Sequence, residues 1–432
     1  MGDERPYLCP SSSRRTILNR CIWAHCLPST DRRSADKLPV RIVFITGSLE
    51  LNKDGVGDYT RRLAAESAHQ GESCRLLALA DRHVTTPGTG CDETGIEMLR
   101  LPFTMPWPER LHAATQFLEA APADWVSLQF VPYSFQRWGV AAKLVRALPE
   151  LVGRSRLHVM FHEIWIDGGT SPRRRLVSAA QRRTVLALAS YPRALMHTSN
   201  RTYQHALAQQ GVLVGTLPLF GSVPVGSRDA AAWLAPLLDG VGCDALSAAP
   251  ARRRDWWLFA LFGTLHPVWP PQPLLDQLQA AAAAAGKRVA LVSAGRLGAG
   301  ESVWTDMSAT YGSRIPMLRV GEQPPQRISE LLNSVDFGIA TTPLALIGKS
   351  ATVAAMFDHG LPVVVNRDDC RWPAPKTADT REAALVIRMG QDLAARLRNA
   401  RRLPAAWSLP SVARQWRGAL AGVAETVPTW SS

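Results

Sequence analysis

The chain has 432 residues, of which 46% are hydrophobic and 20% charged, and its net charge at pH 7 is +13. This composition excludes a disordered protein, and the length predicts two or three domains. No apolar run approaches the roughly 18 residues that cross a bilayer, and the seven cysteines contain no CxxC pair of the kind found in zinc or redox sites.

The basic residues lie in short clusters, such as residues 173–175 and 252–254, and form no long Lys/Arg tract. The charge could serve nucleic acid, an anionic membrane surface or anionic small molecules, but this distribution argues against nucleic acid and leaves a solvated basic face or weak contact with anionic lipid headgroups. Because the first residues lack an apolar signal region, we expect a cytoplasmic protein, with the inner face of the membrane as a peripheral location.

Residues 1–38 are rich in Ser, Arg and Asp and lack periodicity, which predicts a disordered leader. From Val40 onward, apolar runs typical of buried strands alternate with helical patterns. The predicted strands of the first half are 40–45, 74–80, 98–101, 125–130, 157–161, 194–198 and 215–219. Its predicted helices are 61–69, 110–120, 139–148, 174–188 and 200–209.

Residues 221–250 carry several Pro and Gly and mark a domain junction. The alternation then resumes with predicted strands at 257–262, 288–292, 317–320, 337–340 and 362–365. The predicted helices are 274–285, 327–334, 350–359, 380–402 and 410–423. Alternating strands and helices predict an α/β fold class, with two doubly wound, Rossmann-like domains that face a cleft.

The turn after the first strand contains Gly55-Val56-Gly57, directly before the first helix. Backbone N–H groups at a helix N-terminus attract anions, and glycine lets a phosphate approach the backbone closely. Since the GxGxxG spacing is absent, a tight strand-to-helix turn without a ligand is an equal alternative.

Three segments together resemble the GT-B glycosyltransferases, especially the family 4-like enzymes (glycosyl transferases group 1). They are residues 55–60, residues 161–165, and the stretch 335–364 with its Gly348-Lys349-Ser350 turn, which is similar to donor segments that end in EAMxxGxPVV. The resemblance assigns 39–222 to an acceptor domain, 223–254 to a linker and 255–405 to a nucleotide-sugar donor domain. It also implies a C-terminal helix, within 406–432, that packs back toward the acceptor domain.

This resemblance implies transfer of a sugar from a nucleotide-sugar, which serves as co-substrate, to an acceptor hydroxyl in polysaccharide or glycoconjugate biosynthesis. It implies no cofactor and no bound metal. The acceptor would be a glycan, a lipid-linked sugar or a small molecule. Lys349 and Ser350 begin a helix at the family's donor position, so they are the foremost candidates to bind the diphosphate.

The resemblance also implies where the chemistry takes place. His162 and Glu163 follow a strand at the position where many members hold a histidine near the reacting sugar, and either could act as general base in an inverting reaction. Where the family often has Arg and Lys, this chain has Thr264 and His266, so Arg296 would supply the missing cation. The remaining donor-binding candidates are Gly55, Val56, Gly57, Gly263, Gly348 and Thr352.

The donor segment departs from the family pattern at two positions. Retaining members commonly carry two glutamates that bind sugar and ribose hydroxyls, and Leu346 and Ala354 stand in their place. Either Lys349, Ser350 and Thr352 take over this role, or the chain is a catalytically inactive GT-B scaffold that binds a partner. A nucleotide-binding epimerase of the same fold is a third interpretation, but the sequence shows no carboxylate set for it.

Overall fold

The computed structural model describes residues 39–226, 231–247, 250–370, 372, 380–405 and 407–425. The predicted leader at 1–38 lies outside the described residues. Within this range the chain forms two β-sheets with helices packed against both faces, so the predicted α/β class with two doubly wound domains is confirmed.

The first sheet is built around its central strand, the first in the chain. Its strands are β1 (Arg41–Thr46), β2 (Ser73–Asp81), β3 (Gly88–Cys91), β4 (Glu97–Pro102), β5 (Trp125–Phe130), β6 (Arg156–Phe161), β7 (Leu195–Thr198) and β8 (Gly215–Thr216). They run in the order β3-β4-β2-β1-β5-β6-β7-β8, and β3 alone is antiparallel to its neighbour. The helices of this half are α1 (Gly55–His69), α2 (Trp107–Ala120), α3 (Pro132–Phe135), α4 (Ala142–Val152), α5 (Pro172–Ala189) and α6 (Arg201–Ala208).

The second sheet is parallel throughout. After α7 (Ala235–Gly240) and α8 (Pro250–Arg253), its strands are β9 (Trp256–Phe262), β10 (Arg288–Ala294), β11 (Met317–Gly321), β12 (Phe337–Ala340), β13 (Val363–Val365) and β14 (Val386–Arg388). They run in the order β11-β10-β9-β12-β13-β14. The helices are α9 (Pro271–Ala284), α10 (Glu301–Tyr311), α11 (Pro325–Ser334), α12 (Ala351–Asp358), α13 (Thr380–Leu385), α14 (Leu393–Asn399) and α15 (Leu409–Glu425).

Continuous apolar strands form the centre of each sheet because both faces are covered. In β9, Leu258 points into the core on one face and Phe259 into the core on the other, and both side chains are fully buried. The last helix, α15, packs against α1 beneath the first sheet, where Trp416 is fully buried with its ring centroid 5.2 Å from that of Phe44.

Two predicted segments differ in the structure. Residues 223–254, expected as a linker, supply buried side chains to the core of the second sheet, among them Leu234 and Leu238, whose i, i+4 spacing puts them on one face of the chain. The helix expected over 380–402 is interrupted by β14, because Val386 pairs with Val363 of β13 and extends the sheet at its edge. An apolar triplet at a sheet edge cannot be told from a helical turn by periodicity alone.

Candidate functional site

A cavity of about 490 Å³ lies between the two halves, at the carboxyl ends of β1, β5, β6, β7 and β12. Open parallel sheets bind their ligands at this end of the strands. The first half contributes the start of α1, the residues after β6 and residues near 199 and 220, and the second half contributes Lys349 and Ala351.

The glycine turn before α1 lines this cavity, but its first N–H groups already have a partner. The Asp54 carboxylate caps the helix and accepts hydrogen bonds from Val56 N (2.8 Å) and Gly57 N (3.0 Å). Gly57 is needed for packing, since a Cβ there would lie 2.6 Å from the carbonyl oxygen of Ser48. Thus an anion at this turn would compete with the chain's own carboxylate at these two groups.

His162 lines the cavity directly after β6 and is 7% exposed. Its Nε2 lies 2.9 Å from Oε1 of Gln129, and its ring meets the ring of Tyr59 edge-on with centroids 4.8 Å apart. Burial lowers the pKa of His162 to about 3, so the imidazole is neutral at physiological pH. A neutral imidazole has one donor and one acceptor nitrogen, and it can therefore take a hydrogen bond from a hydroxyl group.

An ion pair joins the two halves across the cavity. Lys349 Nζ, at the end of the 3₁₀ turn Leu344–Lys349, lies 2.9 Å from Glu163 Oε1, and the two side chains are 26% and 42% exposed. Burial by itself lowers the pKa of Lys349, but interactions with Tyr203 and Glu163 outweigh it, and the pKa lies above its ordinary value. Lys349 is therefore a charged group in the cavity, and Glu163 is its partner in this structure.

The start of α12 lies beside this ion pair. Ser350 caps the helix as expected, with its Oγ 3.4 Å from Val353 N and 3.0 Å from the hydroxyl of Thr352. The glycine turn after β9 meets the same helix, because a Cβ on Gly263 would lie 2.6 Å from Cγ2 of Thr352. The predicted donor-binding residues Gly263, Ser350 and Thr352 are thus brought together.

Other predicted donor-binding residues have different surroundings. The guanidinium of Arg296 donates to the carbonyl of Asn52 and lies 3.4 Å from Glu322, with its side chain 46% exposed. His266 N donates to the hydroxyl of Thr341 (3.3 Å), and burial lowers the pKa of the His266 imidazole. Neither residue lines the cavity.

Two further close contacts at glycine residues show the surroundings of Gly348 and Thr264, which were also predicted to bind the donor. A Cβ on Gly348 would lie 3.1 Å from the carbonyl oxygen of Ser199 in the other half, so glycine permits the close approach of the two halves. A Cβ on Gly298 would lie 2.8 Å from Cγ2 of Thr264, which places Thr264 against the turn after β10. Both contacts are packing contacts, and the predicted role of Thr264 and Gly348 in donor binding remains a prediction.

Sequence reasoning missed several cavity residues. The hydroxyl groups of Tyr59 and Ser199 are buried and have no hydrogen-bond partner among the described residues. Lys53 and Arg62 add positive charge to the lining, while Asp58 adds negative charge. Tyr59 belongs to residues 55–60, on which the resemblance rests, whereas Arg62 lies beyond that segment and Ser199 follows β7 without a sequence signal.

The two positions at which family members carry glutamates lie in apolar surroundings. Leu346 packs against the hydrophobic core of the first half, and the aromatic rings in or against that core include Trp165, Tyr203 and Trp372. Ala354 is 6% exposed, within α12. Neither position offers a carboxylate to a ligand.

No family model and no curated protein matches the sequence, but solved structures do match the fold. Anabaena HepE in complex with UDP-glucose is 14% identical, with a TM-score of 0.53 over 89% of this chain and 98% of that one. A glycosyltransferase from Rickettsia africae ESF-5 is 11% identical, with a TM-score of 0.52 over 90% and 100%. A UDP-N-acetylglucosamine 2-epimerase is 10% identical, with a TM-score of 0.51 over 92% and 99%.

The chain has the GT-B fold. The predicted resemblance to GT-B proteins is therefore confirmed at the level of fold, and the cavity lies at the carboxyl ends of strands from both halves of that fold. Among the described residues, no helix is long and apolar enough to span a membrane, and no cluster of three His, Cys, Asp or Glu side chains could hold a metal ion.

Proposed function

We propose that this chain is a glycosyltransferase that moves a sugar from a nucleotide-sugar to an acceptor hydroxyl. The observation that carries the proposal is the placement of Lys349, two residues before α12, in one cavity with the neutral His162. These groups come from opposite halves of a GT-B fold. Anabaena HepE, which shares this fold, has been crystallised with UDP-glucose.

The diphosphate is assigned to Lys349 and the start of α12. Ser350 occupies the cap position and accepts from Val353 N, so the N–H groups left without an acceptor in the helix, and available to an anion, are those of Ala351 and Thr352. Lys349 contributes a full charge, provided that phosphate oxygens replace the carboxylate of Glu163 as its partner. Charge that develops on the leaving diphosphate is then stabilised without a bound metal or cofactor.

The sugar is assigned to the part of the cavity lined by Tyr59 and Ser199, whose hydroxyl groups have no partners among the described residues. Buried polar groups normally have partners, and the hydroxyl groups of a sugar would supply them. Leu346 and Ala354 leave no carboxylate for this role, so these hydroxyls take the place of the absent glutamates in the proposal.

The reaction breaks the bond between the anomeric carbon and the diphosphate oxygen and forms a bond from that carbon to the acceptor oxygen. The acceptor hydroxyl loses its proton in this step. Glu163 is released from Lys349 when the diphosphate binds and is then a free carboxylate beside the reacting centre, where it can accept this proton. His162 holds a sugar or acceptor hydroxyl by accepting its hydrogen bond.

Thermal shift tests the donor site. The protein is melted with UDP-, GDP-, ADP- and dTDP-sugars, and Lys349→Ala is compared with Lys143→Ala, an exposed lysine on α4 outside the cavity. A ligand that binds only the native state raises the melting temperature. The proposal expects a shift with one nucleotide that Lys349→Ala loses and Lys143→Ala keeps. No shift with any of them would favour a GT-B scaffold that binds a partner instead.

We extend the proposal to a lipid-linked acceptor presented at an anionic membrane surface, in polysaccharide or glycoconjugate biosynthesis. Helix α5 begins with three arginines and carries Leu176, which is 72% exposed, while the exposed ring of Trp138 lies 5.0 Å from the guanidinium of Arg173. Exposed apolar groups beside arginines suit a surface of anionic headgroups.

Sedimentation with vesicles tests this extension. Vesicles that contain phosphatidylglycerol should bind the protein, and vesicles of phosphatidylcholine alone should not. Arg173→Glu with Leu176→Asp should abolish binding, whereas Lys143→Glu, which removes a similar charge from α4, should have little effect. Equal binding by both variants would remove the membrane surface from the proposal and leave the donor site untouched.

A further inference from the structure

A chain of buried hydrogen bonds runs from the cavity to the C-terminal helix. From His162 Nε2 it passes to Gln129 Oε1 (2.9 Å), then from Gln129 Nε2 to Ser127 Oγ (2.8 Å), and on to His158 Nδ1 (2.8 Å). His158 Nε2 continues it to Nδ1 of His197 (3.1 Å). Ser127, Gln129 and His158 are fully buried, and His162 and His197 are 7% and 6% exposed.

The three histidines in this series of hydrogen bonds, His158, His162 and His197, are neutral. Burial lowers the pKa of His158 well below its ordinary value, with His197 and His162 adding to the effect. Burial also lowers the pKa of His197 to about 4. A neutral imidazole can change tautomer, a hydroxyl can rotate and an amide can flip, so the hydrogen bonds from His162 to His197 are compatible with either direction of donation.

Trp416 removes this ambiguity. Its indole Nε1 lies 3.3 Å from Nδ1 of His158, and an indole N–H can only donate. Nδ1 of His158 must therefore be an acceptor, since a proton on it would place two donors face to face. The hydroxyl of Ser127, 2.8 Å from the same nitrogen, must then donate to it as well.

The direction of donation in the remaining hydrogen bonds, from Ser127 to His162, follows from this assignment. Because the Ser127 hydroxyl uses its proton toward His158, it accepts from Gln129, which turns the amide NH₂ toward Ser127 and the carbonyl oxygen toward His162. His162 must then carry its proton on Nε2. Its other nitrogen, Nδ1, has no hydrogen-bond partner among the described residues, and it is left with a lone pair.

We propose that Trp416 is a positioning residue that holds His162 in the Nε2-protonated tautomer, so that His162 accepts, and does not donate, a hydrogen bond at the cavity. This inference rests on the proposed function only for its consequence, which is that a ligand hydroxyl is bound with its proton directed at His162. A hydroxyl held in this way is more nucleophilic than one that accepts a hydrogen bond. Ligand groups that can only accept, such as phosphate oxygens, are disfavoured beside His162.

The tautomer is measured directly by long-range ¹H–¹⁵N correlation spectra of the protein labelled with ¹⁵N-histidine, without any ligand. The signals of His162 are assigned by their absence in His162→Gln. In the wild type we expect a protonated Nε2 and an unprotonated Nδ1 at pH 7. Trp416→Phe keeps an aromatic ring beside His158 but lacks the N–H, so a second population with Nδ1 protonated should appear for His162.

Two further variants make the test specific. Trp304→Phe, which alters a buried tryptophan beneath the second sheet, should leave the His162 tautomer unchanged. Gln129→Glu in the Trp416→Phe background places a carboxylate beside His162, which when ionised can only accept a hydrogen bond, so Nε2 of His162 should again carry a proton. A wild-type His162 protonated on Nδ1 would overturn the inference, even if the variants fail to fold.

A folded Trp416→Phe protein with an unchanged His162 would also overturn the inference. A double variant in which Nε2 of His162 stays unprotonated would refute the path through Gln129. These NMR measurements use neither a nucleotide-sugar nor an acceptor substrate. If the protein transferred no sugar, the test of the His162 tautomer would still hold. If the tautomer differed from the one expected, the thermal-shift test of nucleotide binding would still hold.

Discussion

The ion pair between Lys349 and Glu163 gives a prediction in which the two partners have effects of opposite sign on nucleotide binding. In the free protein Lys349 Nζ is held 2.9 Å from Glu163 Oε1. A bound diphosphate must replace the carboxylate. Truncation of the lysine removes a ligand of the phosphate, whereas neutralisation of the glutamate removes only the competitor.

The magnitudes follow from the exposure of the pair. A hydrogen bond between charged groups contributes about 1.5–3 kcal/mol, and a pair whose side chains are 26% and 42% exposed contributes up to about 1 kcal/mol. When a phosphate oxygen replaces the carboxylate as the partner of Lys349, the net gain is therefore about 0.5–2 kcal/mol. Lys349→Ala should weaken binding of the nucleoside diphosphate about 2- to 30-fold, and Glu163→Gln should strengthen it by up to about fivefold.

Isothermal titration calorimetry at fixed ionic strength measures both effects, with the nucleotide that thermal shift identifies. Lys143→Ala, an exposed residue on α4, is the matched control and should bind like the wild type. If Lys349→Ala retained full affinity, the diphosphate would have to bind elsewhere. If Glu163→Gln weakened binding as much as Lys349→Ala, the pair would be a structural clamp and the proposed competition would be wrong.

Three further effects are expected from other parts of the molecule. Ser199→Ala should weaken binding of the nucleotide-sugar but not of the nucleoside diphosphate in calorimetry, since Ser199 is assigned to the sugar; equal losses would refute that assignment. Gly57→Ala should lower the free energy of unfolding by about 1–3 kcal/mol in denaturant titration, because its Cβ would lie 2.6 Å from the Ser48 carbonyl, whereas Gly55→Ala meets nothing within 4 Å and should be neutral or mildly stabilising. Burial raises the pKa of Asp358 to about 7, above its ordinary value, so the native state binds the extra proton and stability should fall as pH rises from about 4 to 7; Asp358→Asn should flatten this profile, and an unchanged profile would contradict the assignment.

Much of the fold follows from local patterns in the sequence. Strands such as β5 and β12 were predicted to the residue, because a run of apolar side chains bounded by turn residues reports burial on both faces directly. The cap at Ser350 and the position of His162 after β6 were equally local. Residues 223–254 and 380–402 contain short apolar runs that suit a loop, a helix or an edge strand equally well, so local pattern does not determine their structure.

The sequence by itself therefore determined the two alternating α/β halves and the strand ends at which a site would form. Only the tertiary structure decided which side chains meet there. Lys349 and Glu163 are 186 positions apart, and Trp416 lies 258 positions from His158. Periodicity reports which face of an element is buried, but the partner across that face depends on how sheets and helices are stacked, and short-range patterns carry no information about that stacking.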